Sequence, residues 1–131
     1  MKKLILFGDS IMKGVTFNGN GYHLCPDHDL PQLAARGIEI ENHTKMGATI
    51  GDGLRAMDKY LSACDSQTTV LLGYGGNDCD YDWQAISDAP EAEHSPKTAP
   101  DAYIEGMRRA IRKAQDAGAM VAVASLVPLD A

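Results

Sequence analysis

The chain has 131 residues and a formal net charge of −6, enough for one domain with its own core and the wrong sign for a surface of clustered Lys and Arg on nucleic acid. Hydrophobic residues at 44% and charged residues at 23% are those of a soluble globular chain. No segment approaches the roughly 20 apolar residues of a membrane span, and the apolar run Leu4-Ile5-Leu6-Phe7 after Lys2-Lys3 falls short of the roughly seven that a signal peptide needs.

Leu4 to Phe7 reads as a first strand, buried on both faces as in a parallel sheet. Gly8 ends it, and Asp9 and Ser10 stand just beyond its carboxyl end, where open α/β sheets bind ligands. A serine there is either a helix N-cap or a nucleophile. A short helix is expected from Ile11 to Val15, then a long loop over residues 16–31, punctuated by Gly19, Gly21, Pro26 and Pro31. Its Asp27-His28-Asp29 is read as solvated loop residues rather than a metal site. Cys25, Cys64 and Cys79 are odd in number and show no C-x-x-C spacing, which points away from a disulfide framework or zinc and toward a reducing, cytoplasmic setting.

Leu30 to Ala35 is predicted helical, closed by Gly37. Ile38-Glu39-Ile40-Glu41-Asn42 alternates as a second strand. The helix after it opens on a capping box, Thr49-x-x-Asp52, and carries an apolar stripe at Leu54, Met57 and Leu61. His43 is read as a strand-end residue rather than a base. Thr69 to Leu72 is a third strand running into Gly73-Tyr74-Gly75-Gly76-Asn77-Asp78, where the glycines require unusual dihedrals or a close approach. Residues 79–99 are read as a second irregular excursion, and two such loops in one small domain suggest a pocket. Thr98-x-x-Asp101 reads as the capping box of a last helix, with Pro100 in its first turn, a buried stripe at Ile104, Met107, Ile111 and Ala114, and Gly118 at its end. Met120 to Val127 is a fourth strand, nearly continuous in apolar residues and read as covered on both faces. The order βαβαβαβ implies a three-layer α/β/α sandwich on a parallel sheet.

Three strand ends of such a sheet then hold a hydroxyl at Ser10, a side-chain-free N–H at Gly47 and an amide donor at Asn77. Acyl transfer needs this set, a nucleophile with donors about 3 Å from the developing oxyanion. A phosphoryl-transfer reading is disfavoured. The first strand offers one carboxylate, Asp9, rather than a pair, and no G-x-x-x-x-G-K-[ST] is present.

Gly8-Asp9-Ser10, Asn42-x-x-x-x-Gly47 and Gly75-Gly76-Asn77-Asp78 resemble the first three sequence blocks of the SGNH, or GDSL-type, esterase and lipase family, in order and across essentially the whole chain. The resemblance implies a flavodoxin-like parallel sheet and hydrolysis of a small-molecule carboxylic ester without a cofactor or metal. It makes Ser10 the nucleophile, with its own N–H, the Gly47 N–H and the Asn77 side chain as oxyanion donors. Asp9 and Asp78 would orient loops. Ile11 replaces the eponymous leucine at an apolar position. The family's base is a histidine in an Asp-x-x-His block after a fifth strand. None of the four histidines here follows an aspartate by three positions, and the nearest imitation, Glu91-x-x-His94, stands elsewhere in the chain. The expectation is therefore a single domain over residues 1–131, truncated before that block and without the fifth strand. Its last strand would form a sheet edge open to self-association. The alternative is a non-catalytic or truncated ligand-binding domain.

Overall fold

A computed structural model describes residues 1–25 and 29–126. Its main sheet is built from β1 (Lys3–Gly8), β4 (Glu39–Asn42), β5 (Thr68–Gly73) and β6 (Met120–Val123) in the order β4-β1-β5-β6, every neighbouring pair parallel. Counting only these strands, the order is 2-1-3-4, the flavodoxin-like arrangement. Three helices follow the sheet strands and their loops: α1 (Leu30–Ala35), α2 (Ile50–Tyr60) and α4 (Pro100–Asp116), with a short α3 (Trp83–Asp88) inside the third connection. The architecture is the α/β sandwich that the strand pattern predicts.

Alternating side chains of the central strands divide the sheet into two faces. Ile5, Phe7, Val70 and Leu72 form one core with Ile50 and Met57 of α2 and Met107, Ala110 and Ala114 of α4. Leu4 and Leu6 are buried on the opposite face. The capping box of α2 is complete. Thr49 accepts from the Asp52 N–H, and Asp52 accepts from the Thr49 N–H, so two orphan donors are satisfied locally.

Several expectations need correction. Gly8 does not break β1 but pairs with Gly73 as its last residue. A Cβ there would stand 2.6 Å from the Met12 side chain and 2.8 Å from the Gly73 oxygen, so the glycine answers to close approach. Residues 11–14 form turns rather than a helix, Val15 already opens a strand, and part of the supposed loop is an antiparallel hairpin, β2 (Val15–Phe17) with β3 (Tyr22–Leu24). Asn18-Gly19 between two β-forming runs is a hairpin signal. In α4, Thr98 does not cap the helix: Ala99 holds the N-cap position with no side-chain hydrogen bond, and Ile104 is exposed. Finally β6 is a four-residue strand that, among the described residues, pairs only with β5 and is largely exposed. The predicted continuation at Val127 lies outside the described residues, as do Asp27 and His28.

Candidate active site

Three loops meet at the carboxyl ends of β1, β4 and β5, and backbone hydrogen bonds set their spacing. The Lys45 N–H donates to the Gly8 oxygen at 2.9 Å, which fastens the loop carrying Gly47 to the end of β1. The Asp9 N–H donates to the Gly73 oxygen at 3.1 Å, which fastens the other side of β1 to the loop carrying Asn77. Ser10 follows, half-buried, its carbonyl accepting from the Val15 N–H at 2.9 Å. The turn that carries it is held by Asp9, whose buried carboxylate accepts from the Ile11 N–H at 2.9 Å and from the Met12 N–H at 3.5 Å. The Ser10 hydroxyl makes no hydrogen bond to any described residue.

Gly47 has φ +72°, and a Cβ there would meet nothing within 4 Å. The space is open, so the left-handed backbone is what favours glycine. Gly75 has φ +133°, and a Cβ on it would collide with Leu126 at 2.4 Å. Asn77 follows and sends its Nδ2–H to the Ala48 oxygen at 3.1 Å, beside Gly47. An amide nitrogen has two hydrogens, so one remains to donate elsewhere. Asp78, 2% exposed, accepts from the Ile50 N–H at 3.0 and 3.1 Å and from the Thr98 hydroxyl at 2.6 Å.

A cavity of about 440 Å³ opens between the ends of β1, β5 and β6, lined by Asp9, Ile11, Met12, Tyr74, Cys79 and Leu126 among others. Ser10 stands between two lining residues without lining the cavity itself. Tyr74 also borders a second cavity of about 260 Å³ beneath α2, together with His43, Lys45 and Tyr60. Burial pushes its phenol well above the usual tyrosine range, and the charges of Asp52, Asp9 and Asp78 push the same way, so it is a hydrogen-bond donor at every physiological pH. Nothing in its sequence context singles it out beyond its place in a glycine-rich loop.

The described histidines lie elsewhere. His43 is stacked between Phe7 and Tyr60, at 5.2 and 4.4 Å between ring centroids, and its Nε2 meets Glu41 at 2.6 Å. His94 Nε2 is bonded to the Ala89 oxygen at 2.8 Å, and His23 sits in the hairpin near the Gly21 oxygen. None is hydrogen-bonded to Ser10. Among the described residues no group of three or more His, Cys, Asp or Glu is placed to hold a metal, and no helix is long and apolar enough to cross a membrane.

No family model and no curated protein sequence matches this chain. Solved structures do. A catalytic mutant of an acetylxylan esterase from Geobacillus stearothermophilus superposes with a TM-score of 0.62 at 20% identity, covering 93% of this chain and 58% of that one. A lipase/acylhydrolase from Enterococcus faecalis gives 0.56 at 21%, covering 92% and 56%. A member of the lipolytic G-D-S-L family from Veillonella parvula gives 0.55 at 15%, covering 92% and 56%. This chain has the fold of the SGNH, or GDSL-type, lipolytic enzymes. It spans between 56% and 58% of the length of these three structures. In this fold the Gly8-Asp9-Ser10 turn, the Gly47 loop and the Gly75–Asp78 loop all lie at the carboxyl ends of the parallel strands.

Proposed function

We propose that the chain carries the nucleophile and oxyanion donors of a serine carboxylic ester hydrolase. The observation that supports this reading best is the cross-bonding of the three strand-end loops, Lys45 to Gly8, Asp9 to Gly73 and Asn77 to Ala48. The chemistry follows from the groups so gathered. The Ser10 oxygen attacks the ester carbonyl carbon and its proton passes to a general base. The carbonyl oxygen takes up negative charge before the alcohol leaves with a proton and an acyl-Ser10 remains. The Ser10 N–H, the Gly47 N–H and the free Asn77 N–H would receive that oxyanion. Donors held in place beforehand need no reorganisation as charge develops.

A serine hydroxyl without a base is a poor nucleophile, and the described histidines are engaged elsewhere. Turnover therefore depends on a base that reaches Ser10. That same observation favours the second reading, in which the site binds a carboxylate or ester oxygen without cleaving it. The setting in this reading is cytoplasmic, with free Cys25, Cys64 and Cys79, and the β6 edge is a surface for self-association.

A fluorophosphonate probe separates the two readings when imidazole is supplied as an external base. The Ser10 oxygen forms a bond to phosphorus, fluoride leaves, and the proton goes to imidazole. Intact mass and peptide mapping are expected to place a single adduct on Ser10, absent in Ser10→Ala. No adduct at Ser10 at any imidazole concentration would leave only the binding reading.

A further inference from the structure

Thr98 has the sequence position of a helix cap and a different partner in the folded chain. Its hydroxyl donates to Asp78 Oδ1 at 2.6 Å, and its N–H donates to the Asp78 carbonyl at 3.0 Å. The opening of α4 receives no side-chain cap in return. One residue upstream, the Lys97 N–H donates to the Asp80 carbonyl at 2.8 Å, and its ammonium meets the Asp80 carboxylate at 2.7 Å. The far end of the 79–99 excursion is thus folded back onto its own beginning, with Thr98 as the half-buried contact and Lys97 as the exposed one.

Asp78 is the centre of this arrangement. A carboxylate so fully buried requires donors, because an unsatisfied charged oxygen in a low-dielectric interior is costly. The described donors to its carboxylate come from two segments: the Ile50 N–H at the start of α2 and the Thr98 hydroxyl. Ile50 lies two residues after Ala48, whose carbonyl receives the Asn77 amide. Asp78 is the neighbour of Asn77 in the chain. Both loops that carry the proposed oxyanion donors therefore converge on one carboxylate, and Thr98 joins Ile50 on its Oδ1 as a second donor.

We infer that Thr98 is a positioning residue, which through Asp78 holds the Asn77 amide and the Gly47 N–H in register for the developing oxyanion. The inference rests on the ester-hydrolase reading above and assigns to Thr98 no contact with substrate. Without the hydroxyl, Asp78 loses one of the two described donors to its carboxylate and is held there by the Ile50 N–H alone, at 3.0 and 3.1 Å from its two oxygens. A loop held by fewer bonds positions Asn77 less firmly, and misplacement on the order of an ångström remote from the reacting atoms is enough to slow chemistry about 100-fold.

The test compares Thr98→Val, which keeps the shape and removes the hydroxyl, with Thr98→Ser, which keeps the hydroxyl. The readout is the rate of Ser10 phosphonylation by a fluorophosphonate with imidazole as base, measured well below each variant's unfolding midpoint. Thr98→Val is expected to react roughly 10- to 100-fold more slowly than the parent, with the same dependence on imidazole concentration, and Thr98→Ser to recover most of that loss. A purely structural role lowers the unfolding midpoint and leaves the rate alone. Thr98→Ala, which leaves the vacated space to water, gives the same reading where the valine variant does not fold. Parent-like rates in both hydroxyl-less variants would overturn the inference alone. A parent that shows no Ser10 adduct overturns the ester-hydrolase reading and the inference with it.

Discussion

The side-chain amide of Asn77 donates from Nδ2 to the carbonyl oxygen of Ala48 at 3.1 Å, joining loops 29 residues apart in the chain. The acceptor is a backbone carbonyl, so nitrogen rather than oxygen must face it. Ala48 is buried at 3% exposure and followed by the first turn of α2, so the amide is anchored to a part of the structure that does not give. One N–H is used to hold the side chain, and the other has no described partner.

Replacing Asn77 with alanine removes both N–H groups. The reaction of Ser10 with an ester or a fluorophosphonate is expected to slow by a factor on the order of 10²–10³, the usual cost of one oxyanion donor. Stability should fall by only about 1 kcal/mol, the net worth of a typical hydrogen bond. Parallel measurement of rate and urea midpoint checks the split. A large loss of stability with an unaltered rate would move Asn77 from the chemistry to the scaffold.

What the sequence made legible was local. The Thr49-x-x-Asp52 box forms as read because each of its hydrogen bonds closes within three residues. The Thr98-x-x-Asp101 pattern has the same lettering and fails, because a buried carboxylate 20 residues away competes for the hydroxyl and wins. The hairpin at 15–24 was hidden by the density of Gly and Asn that also makes its turn. The motif residues could be placed at strand ends from periodicity. The bonds that tie those ends together span 28 and 29 residues and depend on the strand order, which no local pattern encodes.

Glu41 offers a pH test away from the site. Its carboxylate meets the His43 ring at 2.6 Å and the Lys3 ammonium at 2.7 Å. The His43 hydrogen bond first, and the Lys3 one second, hold its pKa below the ordinary value of 4.5. A lowered folded-state pKa contributes stability above the unfolded value, and that contribution is lost as pH falls through the folded one. The gap in stability between the parent and Glu41→Gln is therefore expected at neutral pH and should close as pH drops below 4.5. Urea titrations at neutral and acid pH check the sign.

Gly53 stands in the middle of α2, where alanine would ordinarily gain about 1 kcal/mol in helix propensity. Here a Cβ would lie 2.5 Å from Cζ of Tyr74 and 2.8 Å from its hydroxyl. The Tyr74 ring is 3% exposed and pinned from the other side of its residue by the Tyr103 hydroxyl on its carbonyl at 2.9 Å, so it has little room to retreat. Overpacking of this kind costs about 1–3 kcal/mol. Gly53→Ala is expected to lower the thermal midpoint by a few degrees. A rise in the midpoint would mean that the tyrosine moves freely, and that the partition between the two cavities it borders is soft.

The last prediction concerns the open side of the sheet. Among the described residues strand β6 pairs with β5 alone, and Met120 and Val123 are 63% and 49% exposed. A parallel strand buried on both sides usually reads as β6 does, nearly continuous in apolar residues. An unpaired edge presents a row of free N–H and C=O groups, and β6 carries neither the lysine nor the proline with which natural edges are blunted. The 131-residue chain is therefore expected to associate through this edge as its concentration rises. Light scattering coupled to size exclusion should show a mass above the 14.1 kDa of one chain. Met120→Lys and Val123→Lys place charge along that edge and are expected to return the protein toward the monomer, with little effect on Ser10 labelling. A monodisperse 14.1 kDa species for the unaltered chain at high concentration would show that the edge is guarded by something other than a second copy.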